Sequence, residues 1–325
     1  MSTTRTLAVV GLLAAVAGCG GREAEPPAAA LAAPEIVRAG DPARRGLPES
    51  AFPRVQEIAP GVYSYEQLRS AGDERFATVS LFVVTDEGVL VADGQGSVEE
   101  TARLVETIAG VTDRPITHLV VGSDHGDHTA GNSAFPPGVQ VFAHPTSAAA
   151  LRGGAEGAPA WLARMQLVDD SVTLRLGGRE IRLLFLGRAH TGGDLMVHLP
   201  SEKILFMSEA YLNRIFPALR SAYPSEWIGV LERARAMDID VYVPGHGFVE
   251  APAILEQEVD TFRTALQRVV TEVRRLHGQG LEVDSAAARA VFGPLDDWTL
   301  RSSQGPIAVR RVWLELEGGL PPPER

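Results

Sequence analysis

Between Ser123 and Asn132 the chain reads Ser-Asp-His-Gly-Asp-His-Thr-Ala-Gly-Asn. Two imidazoles, His125 and His128, and the carboxylate of Asp127 fall within four residues, a dense set of ligands for a borderline divalent metal. Three shorter stretches downstream carry the same kind of group. They are Gly187-Arg188-Ala189-His190-Thr191-Gly192-Gly193-Asp194, Phe206-Met207-Ser208-Glu209 and Val243-Pro244-Gly245-His246-Gly247. The single cysteine, Cys19, rules out both an internal disulfide and a CxxC metal site.

Each of these stretches follows a short apolar run, so the elements that position them can be read from the same pattern. Leu119-Val120-Val121 is a buried strand, and the His-rich loop begins where it ends. Val79–Val84 and Val89–Ala92 flank Thr85-Asp86-Glu87-Gly88, which has the composition of a hairpin turn. Ser97-Val98-Glu99-Glu100 is a capping box that opens a helix with Ala102, Leu104, Val105 and Ile108 at helical spacing. A strand over 139–143 and a helix near 146–151 follow. Residues 172–186 read as a hairpin with Gly177-Gly178 at the turn, and 195–199, 204–207 and 241–243 as further strands. Helices are expected over 227–237 and 256–276, the second with Leu266, Val269, Val270, Val273 and Leu276 on one face. Strands interleaved with helices in both halves indicate a layered α/β domain.

The order H-x-D-H, G-x-x-H-T-x-G-D, an acid after an apolar strand, then P-G-H-G resembles the metallo-β-lactamase-fold hydrolase superfamily. The resemblance covers roughly Gly61 to His246. Within the superfamily, Pro115 to Asn132 is similar to the glyoxalase II-like and quinoprotein-relay-associated branch. It implies an αββα sandwich with a one- or two-metal site, usually zinc, between two sheets. Carried over by position, the first pocket would use His125 and His190, and the second Asp127, His128 and His246. Glu209 stands where the family has an Asp shared by both metals. Ser123 stands where it has a further His. A neutral hydroxyl is a weak zinc ligand, so one Zn2+ is expected to bind tightly at Asp127/His128/His246, with the second weak or absent and Ser123 at most a weak or water-mediated ligand. His125 or His190, freed from coordination, is then the expected general base, beside Asp127 in the catalytic set. Loss of the first His argues against an iron oxygenase, and the lack of a late cysteine against a Cys-ligand β-lactamase.

By the same resemblance Asp93 falls where the family keeps an acid that steadies the metal loop, with a simple turn acid as the alternative. Asp194 is expected to orient the His190 loop. His118, His144, His198 and His277 lie outside every ligand motif and read as structural or surface residues, Thr129 and Asn132 as loop hydrogen bonders, Trp227 and Phe216 as core. Tyr211, Asn213, Arg214 and Arg220 either line the cleft mouth or form an ordinary solvated segment.

The N-terminus adds a location. Arg5, an apolar run over residues 7–17 and Val16-Ala17-Gly18-Cys19 resemble a bacterial lipoprotein signal, the alternative being an ordinary signal peptide with an incidental cysteine. The expected product is exported and held on a membrane by lipid on Cys19, facing the periplasm or cell exterior. Residues 19–56, rich in Ala and Pro, read as a flexible tether, 57–280 as the folded domain and 281–325 as a peripheral segment. The chain has 325 residues, 45% hydrophobic and 22% charged, with net charge −11. That is a globular composition without the basic face nucleic acid requires. The expected activity is metal-dependent hydrolysis of an amide, lactone, ester or thioester in a small molecule. A binding lipoprotein on the same fold and a β-lactamase of a non-Cys subclass are the alternatives.

Overall fold

The computed structural model describes residues 38–153, 159–250 and 252–321. The expected signal, Cys19 and the first half of the tether lie outside these residues. Two sheets face each other. The first runs, in order, β1 (Arg54–Ala59), β2 (Val62–Ala71), β3 (Glu74–Thr85), β4 (Gly88–Ala92), β5 (Ile116–Val120), β6 (Gln140–Ala143) and β7 (Met165–Leu167). Its β1–β4 pairs are antiparallel and its β4–β7 pairs parallel. The second contains β8 (Ser171–Leu176), β9 (Arg179–Phe185), β10 (Leu195–Leu199), β11 (Ile204–Phe206) and β12 (Val241–Val243), in the order β12-β11-β10-β9-β8.

The two-residue period of the strands explains why the sheets can pack on both faces. In β4, Leu90 and Ala92 join the core between the sheets, whereas Val89 and Val91 face the outer layer. That outer layer is formed by α1 (Val98–Val111) and α3 (Pro145–Gly153), which contribute Leu104, Ile108 and Ala148; the one-turn helix α2 (Gly126–Thr129) lies between them in sequence. Ser97 caps α1 by accepting a hydrogen bond from the Glu100 amide. Behind the second sheet lie α4 (Pro224–Arg235) and α5 (Pro252–Gly278), with Trp227, Val230, Phe262, Leu266 and Val269 all buried. The layering is α/β/β/α, as the resemblance implies.

Two stretches differ from the sequence expectation. Residues 38–53 form two 3-10 turns rather than tether, and β1 starts at Arg54. Arg45 fixes this segment by pairing with the buried Glu250 at 2.5 Å and donating to the Ala39 carbonyl. The 281–325 stretch is likewise not peripheral where it is described. It carries α6 (Val283–Arg289) and α7 (Arg301–Leu316), whose Ala286, Ala308, Val309 and Val312, with Phe292 between the helices, complete the main core.

Candidate metal centre

The chemistry-bearing residues sit where strands end. Asp93 follows β4, Ser123 to His128 follow β5, Glu209 follows β11 and His246 follows β12, while His190 precedes β10. Facing sheets bring these loops together at one edge, the usual position for sites on strands of this kind. Packing there leaves no slack. A Cβ on Gly245 would stand 2.4 Å from the Ser208 carbonyl carbon, so only glycine lets the His246 loop approach the Glu209 loop. Asp93 and Ser208 adopt φ of 62° and 46°, a strained backbone for non-glycine residues.

Two ligand groups result, sharing Glu209. Asp127, His128, Glu209 and His246 form one, and His125, His190 and Glu209 the other; in each, one donor atom per residue lies within 4.8 Å of the rest. Glu209 is 3% exposed. Its Oε1 lies 3.0 Å from His190 Nε2 and 3.1 Å from His246 Nε2, and its Oε2 3.0 Å from His125 Nδ1. Asp127 Oδ2 is 3.2 Å from His246 Nε2 and 4.0 Å from His128 Nε2. Ser123, fully buried, donates its hydroxyl proton to Glu209 Oε2 at 2.5 Å. All six expected ligands therefore converge, and Ser123 reaches the cluster through Glu209.

The outer nitrogens of the imidazoles are held separately. His128 Nδ1 donates to Asp93 Oδ2 at 3.0 Å. The same carboxylate accepts from Ser208 Oγ at 2.5 Å and the Gly122 amide at 2.6 Å, tying the loops after β5 and β11 to its own after β4. His246 Nδ1 donates to the Ala77 carbonyl at 3.1 Å, with Thr78 Oγ1 at 3.3 Å. His125 Nε2 lies 3.2 Å from Ser221 Oγ. His190 Nδ1 has no hydrogen-bond partner among the described residues, and Asp194 instead orders its loop by accepting from the Thr191 amide and hydroxyl. Thr78, Ser208 and Ser221 escaped the sequence reading, because an isolated Ser or Thr carries no spacing signal.

The electrostatics favour a cation in the middle. Burial opposes charge on His125, yet the Glu209 carboxylate beside it raises its pKa to about 9. Against the same burial, hydrogen bonds to Asp127 and Glu209 raise His246 to about 10. Burial prevails at His190, whose pKa is lowered. The surrounding imidazoles keep Glu209 and Asp127 ionised despite burial. Imidazole nitrogens meet in pairs around these carboxylates, His125 Nδ1 and His190 Nε2 at 3.0 Å, His128 Nε2 and His246 Nε2 at 3.4 Å. The protons shared between these rings and the buried carboxylates are what a divalent cation at the centre would replace, turning the inner nitrogens to it as ligands. The N/O donor set without sulfur fits zinc or a similar borderline metal.

A cleft of about 410 Å³ opens onto the cluster, lined by Phe76, Leu212, Ile215, Ala218 and Leu300 with Arg220, Ser221 and Gln304. Of the four residues weighed for its mouth, only Arg220 lines it. Tyr211 is buried, Asn213 donates to the Tyr211 hydroxyl, and Arg214 makes a two-pronged ion pair with Glu258. The remaining histidines stay apart. His118 stacks on Phe142, His144 on Phe185, and His277 meets Trp313 edge-on, while His198 is buried in β10. Thr129 donates to the His125 carbonyl, and Trp227 and Phe216 are core.

Two facing sheets flanked by helices, with a histidine–carboxylate cluster at one edge, define a protein built to hold metal. The chain belongs to the metallo-beta-lactamase superfamily, whose profile matches residues 73–246. A relative named metallo-beta-lactamase type 2, from Bacillus sp. (strain 170), is 23% identical over 64% of this chain and 82% of its own length. Another, the 2,4-dinitroanisole O-demethylase subunit alpha of Nocardioides sp. (strain JS1661), is 25% identical, the match covering 51% of this chain and 52% of that protein. The solved metallo-beta-lactamase from Pontibacter korlensis superposes with a TM-score of 0.59 at 23% identity, covering 66% of this chain and 98% of that one.

Proposed function

We propose that this protein is a zinc-dependent hydrolase acting on an amide, lactone, ester or thioester of a small molecule. The observation that carries the reading is the Glu209 carboxylate, buried between two histidine groups whose ring nitrogens lie 3.0–3.1 Å from it. When bound there, a zinc ion supplies Lewis-acid polarisation and activates water near neutral pH. The chain's own part is to hold the ligand loops rigid through Asp93, to present the cleft beside them, and to receive a proton on His190, the imidazole that burial keeps neutral, rather than on His125, which Glu209 keeps protonated. Ser123 spends its hydroxyl proton on Glu209, which supports one tight metal at Asp127, His128, Glu209 and His246 and a weaker pocket at His125, His190 and Glu209. Lipid attachment at Cys19 would place the activity outside the cytoplasm.

Metal analysis of the purified full chain, followed by a panel of ester, lactone, thioester and β-lactam reporters with Asp127→Ala as control, tests this. One equivalent of tightly held zinc and turnover lost in Asp127→Ala are expected. Two equally tight zinc ions would refute the unequal pockets. Zinc bound without turnover of any reporter would favour a binding protein on this fold.

A further inference from the structure

Arg311, on α7, is a half-buried cation that forms no salt bridge among the described residues. It donates instead to two backbone carbonyls, from Nε to Ala222 at 2.6 Å and from Nη2 to Ser221 at 3.0 Å. These carbonyls belong to the short segment that leads from the cleft into α4. Ser221 Oγ lies 3.2 Å from His125 Nε2. Two residues on, the Tyr223 amide donates to the carbonyl of Ala189, next to His190, at 2.9 Å. The Tyr223 ring in turn lies against the guanidiniums of Arg188 and Arg311, 3.9 and 5.5 Å from its centroid. One segment therefore touches the His125 imidazole through Ser221 and the backbone beside His190 through Tyr223. The other two imidazoles are held elsewhere, by Asp93 and by the Ala77 carbonyl.

We infer that Arg311 is a positioning residue for His125 and His190, a support that reaches the centre from a helix outside the matched family region of residues 73–246. Whether Nδ1 of His125 turns a proton to Glu209 or a lone pair to a metal, Nε2 carries a proton and can donate it to Ser221 Oγ. The guanidinium fork holds the two carbonyls that set where that hydroxyl sits. The inference rests on the reading of the cluster as the reaction centre, and it concerns only the weaker of the two groups.

The test is long-range proton–nitrogen spectroscopy of the histidine rings in the full chain, freed of metal by chelation and then titrated with zinc. Arg311→Ala is expected to shift the His125 and His190 ring signals while leaving those of His128 and His246 at their wild-type positions. Ser221→Ala is expected to shift His125 alone. Arg311→Lys, which keeps a donor for the carbonyls, should return the signals toward wild type. On titration, the His125 and His190 signals of Arg311→Ala should respond at roughly tenfold higher zinc than those of wild type. Circular dichroism identifies folded variants, and if Arg311→Ala does not fold, Ser221→Ala and Arg311→Lys decide the matter. An unmoved His125 ring in Ser221→Ala, or four rings moved alike in Arg311→Ala, overturns the inference. Absence of any zinc response in wild type would sink the proposed function, while the metal-free comparison still decides the role of Arg311.

Discussion

Replacing Asp93 by asparagine isolates the part this acid plays in presenting His128. The substitution keeps the size of the side chain and, because asparagine tolerates left-handed backbone, leaves the φ of 62° no more strained than before. One oxygen remains to accept from the Gly122 amide. The other becomes an NH2 that faces His128 Nδ1 and Ser208 Oγ, formerly 3.0 and 2.5 Å from an acceptor. Two donors cannot share that contact, so His128 relieves it by moving its proton to Nε2, the nitrogen that points into the cluster. The tight pocket then has to expel a proton before it can use that imidazole. Losing a charge-assisted hydrogen bond of this kind costs on the order of 2 kcal/mol, which corresponds to a 10- to 100-fold fall in metal affinity. Competition with a chromophoric chelator measures it directly. A folded Asp93→Asn protein binding zinc within twofold of wild type would refute the argument.

Two further outcomes are expected. Glu66 is buried, and desolvation pushes its pKa up to about 7 even though Arg54 pairs with it at 2.7 Å. The native state then holds a proton that the unfolded chain releases near 4.5, so this group costs stability as pH rises from about 4.5 to 7, by up to about 3 kcal/mol. Urea unfolding across that range should show the decline in wild type and a flatter profile in Glu66→Gln; parallel profiles would contradict it. Ser97→Ala removes the α1 cap and should destabilise by about 1 kcal/mol in thermal unfolding, with zinc affinity unchanged because the cap lies outside the cluster.

The motifs were legible because metal chemistry demands particular residue types in dense local sets. Asp127 and His128 share one helical turn, and His190 and His246 each sit in a glycine-rich loop beside a strand. The central strands were legible for a similar reason, since β4 and the Leu119-Val120 end of β5 are apolar on both faces. The segment 38–53 was not, because its arginines look solvated until their partners are known. Arg38 and Arg45 meet Glu258 and Glu250 more than 200 residues away. The C-terminal stretch also reads as surface, and its buried face is defined only once α6 and α7 pack on each other and on α4 and α5.

The sequence by itself determined the layered α/β class, the identity of six convergent ligands and the departure at Ser123, because short-range periodicity and side-chain chemistry suffice for those. The tertiary structure decided how the ligands are shared and braced. That Glu209 stands between both groups, that Ser123 bonds to it, that Asp93 ties three loops, and that α7 reaches the His125 side all depend on contacts between distant residues. Such pairings arise from the packing of two sheets and their helices, and no local pattern in the chain encodes them.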